Sequence, residues 1–265
     1  MPPLKVLAFD TSTASTAVAL CTDQGRAREA RDDPPAGAHP GHATRLLELA
    51  RGLLEAAALG WRQVDRVAVG LGPGTFTGLR VGVATARGLA LSLGAELVGV
   101  SSTLALARAA QLATASPAAA AHLAAAPDPA GSVLALIDAR RGEVFAAAYE
   151  RGKDGMPREL APPRPLAPEL IEELARETAR SSGGRARRWL AVGDGALRYG
   201  EHLRAECIEL AGADSPLHLV SAAVICELGA LAPAESAHEL VPDYRRRPDA
   251  ELALAHAGGS AAVLK

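Results

Sequence analysis

Aromatic side chains are scarce in this sequence. Three Phe, three Tyr and two Trp make up 3% of the 265 residues. Proteins that recognise single-stranded nucleic acids stack the bases on aromatic rings, so this scarcity argues against a base-stacking platform. It also means that Leu, Val and above all Ala must fill the interior.

The chain also lacks an excess of charge of either sign. It carries 28 Lys and Arg against 30 Asp and Glu, a formal net charge of −2. A dedicated binder of nucleic acid or of an anionic membrane needs concentrated positive charge to release counterions from phosphates. The charge balance argues against such a binder, while the 49% of apolar residues is typical of a globular protein.

Cysteine is rare and long apolar segments are missing. Cys21, Cys207 and Cys226 form no C-x-x-C pair, and an odd, scattered set is compatible with a reducing compartment. No secretory signal is recognisable at the start, and the longest uncharged stretch, Ala109 to Pro127, is too polar and too interrupted by proline to span a bilayer. We therefore expect a cytoplasmic protein with no membrane partner.

The usual signatures of catalysis are missing too. The sequence has no G-x-S-x-G elbow, no H-E-x-x-H pair and no phosphate-binding lysine after its glycines. His39 and His42 stand close together, but Pro40 and Gly41 between them prevent a regular helical pair and no third ligand is near. A solvated loop is the better interpretation, and we expect no catalytic residue, no metal and no cofactor in this chain.

Hydrophobic patterning predicts an alternation of strands and helices. Short apolar runs predict strands, and apolar residues spaced three and four apart predict helices. The predicted strands are 4–9, 16–20, 26–31, 66–71, 96–100, 132–138, 144–149 and 189–192, and the predicted helices are 43–57, 78–93, 103–113, 167–180 and 221–232. An early antiparallel hairpin followed by parallel crossovers indicates an α/β domain that differs from a doubly wound Rossmann domain.

The composition indicates two domains and two added segments. We expect a first α/β domain over 1–106, completed by the helix near 219–233, and a second, smaller α/β domain over 132–214. Residues 115–131 are rich in Ala and Pro, which is typical of an insertion or an interdomain connection. Residues 241–265 form a tail that is first charged and then rich in Ala and Gly.

The most informative motif runs from Val67 to Ala90, VAVGLGPGTFTGLRVGVATARGLA. Its G-P-G element predicts a tight turn before a helix. Within that helix small residues recur every four positions at Gly78, Gly82, Ala86 and Ala90. Glycine inside a helix costs about 1 kcal/mol relative to alanine, so another backbone must approach this face closely. That backbone belongs either to this domain or to the helices of another protein.

Two turns are candidates for phosphate binding. Asp10, Thr11 and Ser12 follow the first predicted strand, where actin-like phosphotransferases place a metal-associated acid and hydroxyl donors. The glycine that usually follows such an aspartate is absent, so a structural turn and a residual nucleotide contact both stay open. Gly193, Asp194 and Gly195 follow the strand at 189–192 and form the second candidate turn.

Five segments together resemble one family. They are LAFDTSTASTAVAL from Leu7, VAVGLGPGTFTGLRVGVATARGLA from Val67, ALIDARRGEVFAAAY from Ala135, VGDGA from Val192 and YRRRPDAE from Tyr244. In this order they resemble the bacterial TsaB (YeaZ) family over nearly the whole chain, except 115–131 and about the last fifteen residues. The resemblance implies an α/β protein with the actin-like (ASKHA) two-domain fold.

The resemblance also implies a function. The family belongs to the complex that attaches threonylcarbamoyl to the adenosine beside the anticodon of tRNAs. Its catalytic paralogue, TsaD, binds a metal through a His-x-x-x-His pair, and the matching segment here, Ser101 to Ala107, has no histidine. Ser, Thr, Leu and Ala cannot replace imidazoles as ligands of a transition metal. We therefore expect a non-catalytic subunit that dimerises with TsaD, with a small ATPase, TsaE, docking on the pair and tRNA bound only through the complex.

The family's partners join through the first two helices of each chain, here about 42–58 and 76–93. The resemblance thus assigns to the partner interface Leu46, Leu47, Leu54, Gly78, Gly82 and Ala86. A homodimer through the same surface is a separate alternative when the partner is missing. The alternatives are an ATP-dependent kinase or ATPase on the same fold, with the two candidate turns as its nucleotide site, and a glycoprotease-type hydrolase.

Overall fold

The computed structural model describes residues 4–22, 27–35, 37–115, 131–182 and 187–245, which form two five-stranded sheets flanked by helices. The strands are β1 (Val6–Asp10), β2 (Thr16–Cys21), β3 (Arg28–Asp32), β4 (Arg66–Gly72), β5 (Glu96–Ser101), β6 (Val133–Arg140), β7 (Glu143–Arg151), β8 (Pro157–Leu166), β9 (Trp189–Val192) and β10 (Ile208–Leu210). The helices are α1 (His42–Ala56), α2 (Phe76–Leu93), α3 (Ser102–Ala115), α4 (Ile171–Ser181), α5 (Asp194–Arg198) and α6 (Ala222–Leu231). Every strand and helix predicted from the patterning is present, with ends displaced by a few residues.

The two sheets have the same topology. The first has the order β3-β2-β1-β4-β5, and the second has β8-β7-β6-β9-β10 when it is read in the matching direction. In each, the central strand pairs antiparallel with the next strand in sequence and parallel with a later one that follows a crossover: β1 with β2 and β4, β6 with β7 and β9. This repeated mixed sheet confirms the actin-like α/β fold of two domains.

Helices and sheets alternate in layers. Helices α1 and α2 cover one face of the first sheet, where Leu46, Leu54 and Val83 pack on Leu7 and Phe9. Helices α3 and α6 lie between the two sheets, and their buried residues form one core with the inner faces of both. Helices α4 and α5 cover the far face of the second sheet. Helix α6 is the last of these helices in the sequence, and it packs on β1, β2 and β4, which come from the first part of the chain.

Three elements were missed by the sequence analysis. Strand β8 has the sequence PRELAPPRPL, and proline normally argues against a strand because it cannot donate to the ladder. As the edge strand of its sheet, β8 pairs only with β7, so the missing donors are tolerated. Helix α5 and strand β10, with five and three residues, are too short for a periodicity to show.

Other expectations fall partly outside the described residues. This is true of the insertion 115–131, of which 116–130 lie outside, and of the tail 241–265, of which 246–265 lie outside. Among the helices in the described ranges, none combines the length and the apolar character needed to cross a bilayer.

Candidate functional site

The turn after β1 is held by its own aspartate. Asp10 is 1% exposed, and its Oδ1 accepts hydrogen bonds from the Ser12 backbone nitrogen at 2.8 Å and from Ser12 Oγ at 2.6 Å. Its Oδ2 accepts a hydrogen bond from Ser102 Oγ at 2.7 Å. The carboxylate therefore serves as a buried junction between β1 and the start of α3.

A glycine-rich loop closes over this turn. The Thr75 backbone nitrogen donates to the Ser12 carbonyl oxygen at 2.7 Å, and a Cβ on Gly74 would overlap that same carbonyl. A Cβ on Gly70 would overlap the Asp10 carboxylate. The glycines of the G-P-G motif and of β4 thus let two stretches of backbone touch. All three residues considered for a nucleotide contact, Asp10, Thr11 and Ser12, are buried beneath this loop.

The small-residue ridge of α2 faces the same turn. Thr11 Oγ1 donates to the Gly78 carbonyl oxygen at 2.7 Å. A Cβ on Gly78 would overlap the Thr11 carbonyl oxygen, a Cβ on Gly82 would overlap Thr11 Oγ1, and Ala86 is fully buried in the core beneath α2. Of the two interpretations of this ridge, close packing within the domain is the correct one, and the assignment of Gly78, Gly82 and Ala86 to a partner surface was wrong.

The leucines of α1 divide between two faces. Leu46 and Leu54 are 1% and 2% exposed and pack on the first sheet, so their assignment to a partner surface was also wrong. Leu47 is 45% exposed. The reason is helical geometry, because Leu46, Ala50 and Leu53 repeat on the stripe that faces the sheet, and Leu47 stands about 100° away from Leu46.

The outer surface of α1 and α2 carries a second set of small and apolar residues that the sequence analysis missed. We define this outer surface by Ala43, Leu47, Ala84, Gly88 and Leu91, all of which are exposed. Leu91 is 61% exposed, and nothing lies within 4 Å of a Cβ built on Gly88. A signal was available, since Ala84, Gly88 and Leu91 follow the i, i+4, i+7 pattern of one helix face. These residues place exposed small and apolar side chains on each of the two helices.

The second candidate turn lies against β6. A Cβ on Gly193 would overlap the Leu136 carbonyl oxygen, and Gly193 has a φ of +97°, which favours glycine. Asp194 Oδ1 accepts a hydrogen bond from the Asp138 backbone nitrogen at 3.0 Å. Gly193 and Gly195 are thus needed for close packing, as Gly74 and Gly78 are in the first domain.

A cleft of about 600 Å³ opens between the domains at this point. Ala14 and residues 34–35 and 37–40 line it on the side of the first domain, and Asp138, Arg140, Asp194 and Arg198 line it on the side of the second. Asp138 is 5% exposed and pairs with Arg140 and Arg198 at 3.3 and 3.6 Å. Burial and the neighbouring Asp138 raise the pKa of Asp194 to about 6. The structure thus brings Asp194 next to Asp138, a residue missed although it follows an apolar strand as Asp10 does.

The two histidines before α1 behave differently. His39 is exposed, as expected for a solvated loop. His42 is 5% exposed, its Nδ1 lies 2.8 Å from Thr16 Oγ1, and burial lowers its pKa. The expectation of a solvated loop is therefore corrected for His42, which helps to anchor α1 on β2.

Comparison with known proteins places the chain in a family. A family model described as TsaD, tRNA N6-adenosine threonylcarbamoyltransferase, matches residues 34–175. The tRNA threonylcarbamoyladenosine biosynthesis protein TsaB of Escherichia coli is 30% identical over 192 residues, which are 72% of each chain. The chain belongs to the TsaB family. TsaB of Bacillus subtilis is 25% identical over 94% of this chain and 96% of its own. The solved structure of YeaZ from Pseudomonas aeruginosa has a TM-score of 0.71 and 29% identity, covering 91% of this chain and 99% of that one.

In this TsaB-family chain, the segment at the start of α3 carries hydroxyl groups. Ser101 Oγ lies 3.0 Å from Thr103 Oγ1, which lies 3.0 Å from the Tyr149 hydroxyl. Burial raises the pKa of Tyr149 to about 12, so this hydroxyl stays protonated near neutral pH. Within the described ranges, no group of three or more His, Cys, Asp or Glu residues is placed to hold a metal ion. The segment joins α3 to β7 through these uncharged hydrogen bonds.

Proposed function

We propose that this chain takes part in tRNA threonylcarbamoyladenosine biosynthesis as a non-catalytic subunit. In this proposal it dimerises with a TsaD-type catalytic paralogue and supports it, a TsaE-type ATPase docks on the pair, and tRNA is reached only through the complex. The names of the Escherichia coli and Bacillus subtilis relatives support the process. The role within the process rests on the structure of α1 and α2.

The outer surface of α1 and α2 is the observation that carries the proposal. Leu47 and Leu91 are 45% and 61% exposed on two helices that pack side by side on the same sheet. Ala84 and Gly88 lie on the same stripe of α2 as Leu91 and have small side chains, so a helix of another chain could approach this backbone closely. An exposed glycine lowers the stability of a helix by about 1 kcal/mol relative to alanine, and close contact with a partner helix would account for Gly88 at this position.

The burial of the first turn supports a role outside catalysis. A catalytic carboxylate must reach the reacting atoms, whereas both oxygens of Asp10 accept hydrogen bonds from buried groups of the same chain. Asp138 at the cleft is already paired with two arginines. The proposal therefore leaves the chemistry to the TsaD-type partner and gives this chain the task of holding it.

The test is reconstitution of threonylcarbamoyl transfer with TsaD- and TsaE-type proteins of the same organism, with and without this chain. We expect transfer to depend on its presence. Leu47→Glu and Leu91→Glu should each weaken co-purification with the TsaD-type protein at least tenfold, because a buried unpaired carboxylate is strongly unfavourable at an interface. Leu170→Glu is the matched control, since Leu170 is 47% exposed but lies on the second domain.

Two results would overturn the proposal. Transfer at full rate without the chain would remove its role in the reaction. Unchanged co-purification of Leu47→Glu and Leu91→Glu would show that the outer surface is not the contact. If the isolated chain elutes as a homodimer and Leu91→Glu makes it monomeric, the same surface serves self-association in the absence of the partner.

The second candidate is an ATP-dependent kinase or ATPase, which the interdomain cleft favours. Asp138 and Asp194 lie at its floor, and Arg140 and Arg198 could contact an anionic group. Titration of the isolated chain with ATP and magnesium decides the matter: micromolar binding with turnover, lost in Asp138→Asn, would support this candidate. Persistence of threonylcarbamoyl transfer in the same variant would favour the subunit role.

A further inference from the structure

Two of the three cysteines face each other between the first sheet and α6. Alternate residues of a strand share a face, and Ala17 and Ala19 of β2 pack in the core that contains α6, so Cys21 at the end of β2 faces α6 as well. Cys226 of α6 is fully buried in the same core. Its Sγ donates to the Val6 carbonyl oxygen at 3.1 Å, and Val6 is the residue paired with Cys21 across β1 and β2.

The two thiols are neighbours in this core and differ in accessibility. Cys21 is half-buried where β2 leaves the sheet, whereas Cys226 is enclosed. Its interaction with Cys226 lowers the pKa of the Cys21 thiol to about 7, and the same interaction together with burial raises the pKa of Cys226 well above its usual range. Cys21 is thus the reachable thiolate, and Cys226 is the protonated neighbour behind it.

We propose that Cys21 and Cys226 are a redox-active pair that a peroxide converts into an intramolecular disulfide between β2 and α6. The Cys21 thiolate attacks the peroxide, the O–O bond breaks, and a sulfenic acid forms on Cys21 with release of hydroxide. The Cys226 sulfur then attacks the sulfenic sulfur, the S–O bond breaks, and the Cys226 proton leaves with the hydroxyl group as water. Two thiols are oxidised to one disulfide, and hydrogen peroxide is reduced to two molecules of water.

The position of the bond gives it a structural consequence. Helix α6 lies between the two sheets and contacts α3 as well as β1, β2 and β4. A disulfide from Cys226 to β2 would fix this middle layer to the first sheet. Because it would join residues 21 and 226, it would also restrict nearly the whole unfolded chain, so oxidation should raise the Tm.

The experiment uses the full chain treated with a small excess of hydrogen peroxide. We expect free thiols, counted under denaturing conditions, to fall from three to one, the mass of the chain to fall by about 2 Da, and a reductant to reverse both. Peptide mapping should recover the segments of Cys21 and Cys226 joined. Cys207 belongs to the core of the second domain, so Cys207→Ser should still lose two thiols.

Two variants keep the proposal open to refutation. Cys21→Ser changes a half-buried position and should fold normally, and Cys226→Ser replaces the buried partner; each should abolish the loss of two thiols. The proposal fails if the thiol count of the folded wild-type chain stays at three. It fails equally if the disulfide involves Cys207 or links two chains, or if Cys21 accumulates as sulfinic acid while Cys226 stays reduced.

Discussion

A methyl group at Gly82 should destabilise the protein, although alanine is the better helix former. The new Cβ would overlap Thr11 Oγ1, a buried hydroxyl that donates to the Gly78 carbonyl oxygen at 2.7 Å. Overpacking of this kind costs about 1 to 3 kcal/mol, and weakening the buried hydrogen bond adds about 1 kcal/mol. The helical preference for alanine returns about 1 kcal/mol. We therefore expect Gly82→Ala to lower the free energy of unfolding by about 1 to 3 kcal/mol.

Gly88→Ala is the matched control on the same helix. Nothing lies within 4 Å of a Cβ built on Gly88, so only the helical preference changes, and stability should rise by about 0.5 to 1 kcal/mol. The Thr11→Ala background isolates the clash, because the next atoms around the new Cβ, Thr11 Cβ and Val69 Cγ2, lie 3.7 Å away in ordinary contact. Gly82→Ala should cost about 1 to 2 kcal/mol less there than in the wild type.

The assay is urea unfolding of the wild type and the four variants, followed by circular dichroism. This comparison of single and double variants requires that Thr11→Ala itself remains folded, which its own unfolding curve establishes. If Gly82→Ala proves as stable as Gly88→Ala, the small-residue ridge does not pack on the β1–β2 turn. An equal cost of Gly82→Ala in both backgrounds would show that Thr11 is not the group it meets.

Two further predictions concern the second domain. The pKa of Asp194 is raised to about 6 from a usual 3.8, so the folded state binds more protons than the unfolded state between these pH values, and the stabilisation present at low pH is lost as pH rises through about 6. At pH 7.5 the free energy of unfolding of Asp194→Asn should therefore exceed that of the wild type by about 1 to 2 kcal/mol, a gain already reduced for the solvent in the cleft. The difference should vanish near pH 4, and a constant difference between the two pH values would contradict the prediction. His218 is 2% exposed, and its ring nitrogens lie 3.0 to 3.1 Å from the carbonyl oxygens of Gly193, Ala211 and Gly212. His218→Ala should therefore lower the free energy of unfolding, measured in urea, by at least about 2 kcal/mol. The control His202→Ala, at the surface, should lower it by less than about 0.5 kcal/mol.

The sequence predicted the elements better than the faces of its helices. Strand β4, the G-P-G turn and α2 follow from an apolar run, turn residues and a helical repeat, all of which are local signals. The side of α2 that faces the sheet was not predictable, because small residues recur every four positions on two stripes, one at 78, 82 and 86 and the other at 84 and 88. Only the packing of Gly82 on Thr11 decides which of the two stripes turns inward.

The candidate site shows the same division between local and long-range information. The turn at Asp10 was recognisable because a polar run follows an apolar strand, but its burial depends on Thr75 and Ser102, which come from distant parts of the chain. Asp138 was overlooked because a charged residue before a hairpin is unremarkable. Its importance comes from contact with Asp194, 56 residues further on.

The repeated topology places equivalent aspartates in different surroundings in the two halves of the chain. Asp10 and Asp138 end or nearly end the central strands of equivalent sheets, yet only Asp138 lines the interdomain cleft. To expose Asp10, the chain would have to lift the 72–75 loop and the first turn of α2, losing the hydrogen bonds from Thr75 to Ser12 and from Thr11 to Gly78. The same movement would displace α2, whose other side forms the outer surface, so opening the first turn would disturb the surface that the proposed function gives to the partner. A chain whose task is to present that helix is therefore better served by a closed turn.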